Sequence, residues 1–382
     1  MGDARIRLGM VGGGKDAMIG AVHRIAARID GRFDLVAGAL SSTPGKSRES
    51  GAALGLPAER TYDDFRQMAV AEAARADGIE AVAIVTPNHV HAPAAEAFLA
   101  HGIHVICDKP LAASQTDAEV MARAVADSGA LFVLTHTYTG YPMIRHARQA
   151  VSRGELGALR IVQVEYAQSW LTDAVESRGL KQAQWRIDPA RSGAGGAIAD
   201  IGTHAYHLAR FVTGLGGAEL AADLTSFGAR RTLDDNAHVL LRFQGGARGM
   251  LWCSQVAPGC ENGLRLRVYG DTGGLSWAQE DPDVLWVTHH GEATRRIVRG
   301  GPGAGDAAAA VSRVPAGHPE GYLEGFATLY SEAAGAIRAV RSGIPAADAM
   351  GDLPGIAAGL EGMAFIRACV VSAERNAAWV KV

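Results

Sequence analysis

Arg5-Ile6-Arg7-Leu8-Gly9-Met10-Val11-Gly12-Gly13-Gly14-Lys15-Asp16-Ala17-Met18-Ile19-Gly20 lies at the head of the 382-residue chain, and its reading decides the fold. Residues 6–11 form an apolar run of strand length. Three glycines follow, then a stretch in which Met18, Val22, Ile25 and Ile29 recur at helical spacing. Glycines let the backbone turn sharply and approach a pyrophosphate. The helix start then offers N–H donors and the positive end of its dipole. The spacing departs from Gly-x-Gly-x-x-Gly. Ala17 takes the third-glycine position, unless a three-residue insertion moves that role to Gly20. Strand, glycine turn and helix in this order predict a dinucleotide site, with Gly12, Gly13, Gly14 and Ile19 beside the cofactor.

Working outward, residues 33–40, 81–85, 104–107 and 131–135 are further short apolar runs, and helical stretches lie between them. Ser114, with Asp117 three residues on, reads as a helix start. Continuous apolar strands separated by helices predict a parallel sheet covered on both faces. Ligands of such a sheet sit at the carboxyl ends of its strands. The second run ends in Ser41-Ser42 rather than an acid, with Lys46 and Arg48 close behind. Hydroxyls and cations suit a 2′-phosphate, so the cofactor is NAD or NADP with a lean toward NADP. The third run leads into Thr86-Pro87-Asn88-His89-Val90-His91, beside the cofactor.

The run 104–107 ends in Cys107-Asp108-Lys109-Pro110. Lysines number five (Lys15, Lys46, Lys109, Lys181, Lys381) among 37 Lys+Arg. A lysine at the end of a buried strand, in a chain that otherwise prefers arginine, suits proton transfer, because lysine can give up its proton and arginine cannot.

After about residue 140 the pattern changes. Val162, Val164 and Tyr166 alternate with polar residues, as do Ala237, Val239, Leu241 and Phe243, and Leu264, Leu266 and Val268. With Gln244-Gly245-Gly246 and Asp271-Thr272-Gly273-Gly274 as turns, this predicts a large antiparallel sheet. A helix is expected over about 196–213, and two more over 321–341 and 355–372. The Gly- and Ala-rich segment 299–317 reads as a mobile loop. The chain is therefore α/β. A Rossmann-type domain is expected over 1–137, and an α/β domain with an open antiparallel sheet over 138–382.

The glycine-rich approach Ser192-Gly193-Ala194-Gly195-Gly196 leads to Asp200 and His204, four residues apart on one helix face. A carboxylate beside an imidazole tunes and orients it for general acid–base work. With His207 the pair could also be read as metal ligands, but the reading adopted has no metal.

Composition excludes other classes. A net charge of −3 and a pI near 6.5 give no basic field for nucleic acid. No apolar run in the sequence reaches the roughly 18 residues of a membrane span, and no signal-peptide pattern is present. The four cysteines form no Cys-x-x-Cys pair, which points to free thiols in a reducing cytoplasm.

Together, Gly12-Gly13-Gly14, Thr86-Pro87-Asn88 with His91, Asp108-Lys109-Pro110, Trp185-Arg186 and the Gly195…Asp200…His204 helix start resemble the Gfo/Idh/MocA family of pyridine-nucleotide oxidoreductases. Within it the details are similar to inositol and levoglucosan dehydrogenases. The set Ser41, Lys46 and Tyr62 resembles the NADP contacts of glucose–fructose oxidoreductase. Asp108 stands where the family usually has Glu. The resemblance implies hydride transfer at a secondary hydroxyl of a sugar or cyclitol, with Lys109, His204 and Asp200 as the catalytic group. Asp108, Trp185 and Arg186 join the cofactor contacts. Lys109, Asp200 and His204 with Tyr138, Trp170 and His318 are the substrate contacts. It also implies a homodimer or homotetramer formed through the antiparallel sheet. A glycosidase using transient oxidation by NAD, and a nucleotide-sensing regulator without catalysis, are the alternatives.

Overall fold

Each continuous apolar run of the first third becomes a buried parallel strand. The computed structural model describes residues 4–15, 17–178, 185, 188–229 and 231–382. The chain begins β1 (Ile6–Gly12), α1 (Met18–Ile29), β2 (Phe33–Ala39), α2 (Pro44–Ala53), α3 (Phe65–Ala73), β3 (Ala81–Val85), α4 (His91–Leu99). It continues β4 (His104–Cys107), α5 (Gln115–Ser128) and β5 (Phe132–Leu134). The strand order is β2-β1-β3-β4-β5, all parallel, with the order reversing between β1 and β3. Such a reversal is where α/β sheets bind ligands. A lone parallel bridge, Gly38 to Thr61, lies beside β2. Ala81, Val82, Ala83 and Ile84 are fully buried, as a strand covered on both faces requires. Ser114 caps α5, its Oγ accepting from Asp117 N–H at 3.1 Å.

The elements that follow are α6 (Pro142–Ser152), β6 (Leu159–Ala167), α7 (Thr203–Thr213), β7 (Gly217–Thr225), β8 (Asn236–Phe243), β9 (Arg248–Ser254) and β10 (Gly263–Gly270). After them come β11 (Gly273–Ala278), β12 (Val284–His289), β13 (Arg295–Val298), α8 (Tyr322–Arg341), α9 (Ile356–Glu374) and β14 (Val380–Lys381). The sheet runs β13-β12-β11-β10-β6-β9-β8-β7-β14. It is antiparallel throughout except that β6 and β9 pair parallel at its centre. The sequence expectation of an antiparallel sheet is thus one pairing short. β6 and β9 are not consecutive in the chain: α7, β7 and β8 lie between them, so no hairpin sets their relative direction.

The alternation sorts as expected. Val162, Val164, Leu264, Leu266, Val239 and Leu241 are buried, and α7 packs on β6, β9 and β10 while α6 packs on β11 and β12. On the other face Ile161, Leu240, Met250 and Trp286 are each 44–53% exposed. α9 has the length and mean hydropathy (1.5) of a membrane span. Its apolar side chains instead build the core: Phe365 stacks on Tyr206 at 4.1 Å, and Ser372 Oγ accepts from Ala222 N–H of β7.

Contacts divide the chain into residues 1–136 with 326–360, and residues 137–325 with 361–382. A single cut after residue 137 does not provide for the second piece of the first unit, because α8 and α9 each belong partly to both. Segment 299–317 is not a free loop. The guanidinium of Arg299, 1% exposed, pairs with Asp283 and Glu320 and donates to the carbonyls of Val314, Pro315 and His318. A buried arginine must find such acceptors, and here they are the backbone of the segment itself.

Candidate active site

In the first unit the site begins with the turn out of β1. Gly12 and Gly13 have φ of +77° and +68°, the left-handed region that favours glycine. A Cβ on Gly12 would lie 2.7 Å from the carbonyl oxygen of Val85. One on Gly13 would lie 2.9 Å from the Cα of Gly20, and one on Gly20 would fall on the backbone of Gly13. Gly20 therefore fills the third-glycine role, and Ala17 does not. The extra residues are drawn toward β2 and α2: Gly14 N–H donates to Leu40 O, Lys15 N–H to Ser50 Oγ, and the Lys15 ammonium pairs with Glu49. Ala17 supplies no side-chain cap to α1, and the first turn has no acid. Ile19, half-buried, lies in that turn. The N–H groups and dipole end of a 12-residue helix are thereby left for an anion. Thr86 Oγ1, buried at the end of β3, finds no hydrogen-bond partner among the described residues. Cradle, helix start and orphan hydroxyl fit a dinucleotide.

Asp108 and Lys109 leave β4 at the same carboxyl edge. Asp108 N–H donates to Ile84 O, which ties it to β3. Its Oδ1 accepts from Lys109 N–H at 2.8 Å and from Thr135 Oγ1 at 3.1 Å. The shorter acid thus fixes the main chain of Lys109. The Lys109–Pro110 peptide is cis. Pro87 is half-buried and Asn88 buried in the turn after β3.

One cofactor expectation needs correction. His91 is fully buried, and both its ring nitrogens face carbonyl oxygens, so it lies beneath the cofactor edge and not on it. Tyr62 commits its hydroxyl to Glu72 at 2.8 Å, and burial together with that carboxylate raises its pKa to about 12. Ser41 Oγ accepts from Thr43 N–H, while Ser42 and Lys46 are exposed just beyond the end of β2.

The second unit carries its own candidate residues on a network of side chains. Asp200 lies on a π-helical turn, Ile198–Gly202, that runs directly into α7. The wide turn keeps Asp200 and His204 on one face. Three successive N–H groups at the start of this turn are held by one residue: Gly196 and Ile198 donate to the carboxylate of Asp234, at 2.6 and 2.8 Å, and Ala197 to its carbonyl. Asp234 keeps a little exposed surface, yet its carboxylate is walled in by that backbone, and burial raises its pKa to about 6. Gln255 Nε2 donates to Asp200 Oδ2 at 2.9 Å.

The imidazole of His204 packs edge-on against Tyr138, ring centres 5.0 Å apart. Tyr138 Oη donates to Tyr166 Oη at 2.5 Å, Tyr166 donates to Asn262 Oδ1 at 2.8 Å, and Asn262 Nδ2 returns to Tyr138 at 3.4 Å. Burial raises both phenol pKa values, so both rings stay protonated at neutral pH. Tyr138 is 3% exposed, and its hydroxyl is used inside this ring of bonds. It is a wall behind His204, not the open sugar contact the sequence suggested. Gln168 and then Trp170 extend the network outward, and the half-buried Trp170 is the part that reaches toward solvent. His207 is driven down to about 3 by burial, with Arg210 and Arg148 adding. Among the described residues no three His, Cys, Asp or Glu side chains converge as a metal site. His318 is exposed, its carbonyl accepting from Arg299 and its N–H donating to Pro315 O. Trp185 is half-buried, and Arg186 lies outside the described residues.

Residues 6–136 match the model of an oxidoreductase family with an NAD-binding Rossmann fold, and residues 144–276 match the Gfo/Idh/MocA C-terminal domain. The oxidoreductase YfiI of Bacillus subtilis is 35% identical over 98% of this chain and 96% of its own. The chain belongs to the Gfo/Idh/MocA oxidoreductases. An oxidoreductase from Sinorhizobium meliloti has the same fold at a TM-score of 0.90, with 57% identity covering 99% of this chain and 100% of the other. An inositol dehydrogenase homolog from Azotobacter vinelandii, solved with NADH and myo-inositol, superposes at a TM-score of 0.92. It is 36% identical and covers 99% of this chain and 98% of its own. Membership makes the protein an oxidoreductase that uses NAD or NADP.

Sequence reasoning passed over Asp234, Gln255, Tyr166, Asn262 and Thr135 as site residues. The last had a signal, since it closes the apolar run 131–135 at the carboxyl edge. Tyr166 had a weaker one, as the inward-facing end of an alternating strand.

Proposed function

We propose that this protein oxidises a secondary hydroxyl of a sugar, sugar derivative or cyclitol, or reduces the matching ketone, with NAD or NADP as the partner. The observation that carries the reading is Lys109, at the carboxyl edge of the parallel sheet, its main chain fixed by Asp108 beside the glycine cradle. The Azotobacter vinelandii relative solved with NADH and myo-inositol supports the substrate class.

NAD or NADP, held at the turn of Gly12 and Gly13 and the start of α1, would supply the hydride acceptor or donor. Lys109 hydrogen-bonds the reacting oxygen and stabilises the charge that develops there. His204 takes the hydroxyl proton in oxidation and donates it in reduction. Asp200, steadied by Gln255, binds a neighbouring hydroxyl or holds His204. Trp170 offers an aromatic face to the C–H surface of the ring, with Trp185 toward the nicotinamide end. Ser42 and Lys46, exposed where an NAD-selective acid would stand, favour acceptance of the 2′-phosphate of NADP. The outward apolar face of the large sheet supports a homodimer or homotetramer, and the free thiols support a cytoplasmic setting.

The test mixes purified protein with NAD or NADP and a panel of cyclitols and sugars and follows the absorbance of reduced nicotinamide. Lys109→Met and His204→Ala are each expected to lower kcat by about a hundredfold or more, with cofactor binding retained. Absence of turnover across the panel by protein that binds cofactor overturns the reading. Glycoside cleavage without net change in cofactor moves it to the glycosidase.

A further inference from the structure

His91 is the first residue of α4, yet its ring is turned fully into the protein. Nδ1 lies 2.9 Å from the carbonyl oxygen of Pro110, and Nε2 lies 3.0 Å from that of Thr86. The two carbonyls belong to the two loops that matter in this unit. Thr86 opens the turn that leaves β3 beside the glycine cradle, and Pro110 immediately follows Lys109. These loops leave neighbouring strands, paired at Ile84 and Cys107. Upstream of Lys109, Asp108 N–H is fixed on Ile84 O, and Thr135 holds the Asp108 carboxylate. Downstream, Pro110 has no N–H to offer, so its carbonyl is the next main-chain handle. We infer that His91 is a positioning residue for Lys109, an internal pin whose imidazole clasps the Pro110 and Thr86 carbonyls and so fixes the lysine loop to the loop that leaves β3.

Both carbonyls are acceptors, so each bond needs an N–H from the ring. A neutral imidazole has one. The groups around the ring are the carboxylate of Asp108, which favours the imidazolium, and the carbonyls of Thr86, Pro110 and Leu111, which also favour it; burial opposes them and wins, lowering the pKa. The neutral ring therefore donates its one N–H to one carbonyl and packs against the other, so the pin is one hydrogen bond and one packing contact. This inference rests on Lys109 being the catalytic lysine.

The test compares His91→Phe, which keeps ring volume and removes both nitrogens, with His91→Gln, which keeps one donor group. Three measurements are made: cofactor Kd by titration, the pH profile of kcat, and amide hydrogen exchange over residues 108–112. For His91→Phe, kcat is expected to fall about tenfold to a hundredfold, the scale of misplacing a catalytic group. Cofactor Kd should stay within about twofold, the limb of the pH profile that disappears in Lys109→Met should move, and exchange over 108–112 should quicken. His91→Gln should lie between wild type and His91→Phe in all three. If His91→Phe does not fold, His91→Gln alone decides: wild-type exchange, kcat and pH profile in that variant overturn the inference. A folded His91→Phe with wild-type kcat and pH profile overturns it as well. If Lys109→Met keeps full activity, the functional reading fails, and the exchange data still report separately whether His91 pins the loop.

Discussion

Gly12, Gly13 and Gly20 shape the cofactor edge of the first unit with no side chains at all. Asp200 and His204 are carried in the second unit by a chain of side chains, from Asp234 and Gln255 to Tyr138, Tyr166 and Asn262. The first half is defined by what is missing, so adding one carbon breaks it. The second is defined by paired donors and acceptors, so removing one atom loosens it. The difference follows from the ligands proposed for each. A pyrophosphate is bound by main-chain N–H groups that must come close, and that requires bare backbone. A carbinol is worked on by an imidazole held at one angle, and that requires packing and second partners.

The sharpest way to break this contrast is at Gly20. Its missing Cβ is the space occupied by Gly13, and both sides of the contact are backbone, so neither can swing away. Gly20→Val should cost about 1–3 kcal/mol of stability by overpacking. It should also raise cofactor Kd by tenfold or more, equivalent to about 1.4 kcal/mol, through displacement of α1. Thermal unfolding and cofactor titration check both. A variant that binds cofactor like wild type would remove Gly20 from the third-glycine role.

Asp234 tests the other half through pH. Its folded pKa, about 6, lies above the ordinary 3.8 of an aspartate. The folded state therefore binds the proton more tightly than the unfolded one. The stability this contributes is fully present below about pH 3.8 and is lost as pH rises through about 6. Asp234→Asn cannot titrate. Between pH 4 and 7 wild type should lose about 2 kcal/mol relative to that variant, a figure trimmed from the full shift because the group keeps some exposure. Parallel unfolding curves for the two proteins at both pH values would show that the carboxylate is not held as described.

Much of this was legible in the sequence, for physical reasons that can be named. The parallel sheet showed itself because a strand buried on both faces must be apolar at every position, as in 81–85. Lys109 showed itself because it is a rare lysine at such a strand's carboxyl end. The large sheet showed itself through alternation, but not its one parallel pairing, because α7, β7 and β8 lie between β6 and β9 in the chain. Asp234 was illegible because its partners lie 36 and 38 residues away, and Asn262 because it lies 96 residues from Tyr166. No local pattern records such pairings. His91 was legible as a candidate and misread in its role, because a histidine beside a ligand loop and a histidine beneath one look alike in one dimension.

The smallest effect belongs to Tyr166, and it separates the two halves most cleanly. Tyr166 Oη both accepts from Tyr138 and donates to Asn262, so Tyr166→Phe removes two bonds and keeps the ring. Tyr138 Oη still has Asn262 Nδ2, and Asn262 Oδ1 still has Gln168, so no buried group is left wholly without a partner. The cost to stability should then be near the net value of one ordinary hydrogen bond, about 1 kcal/mol. Tyr138 becomes freer to tilt, and His204, which lies edge-on against it, tilts with it. Turnover should fall several-fold, about 3- to 10-fold for a small loss of alignment. Cofactor Kd should not change, because the glycine half contains none of these atoms. A Tyr166→Phe enzyme that weakens cofactor binding as much as it slows turnover would mean that the two halves are not built independently, and that the contrast between bare backbone and paired side chains does not divide their work.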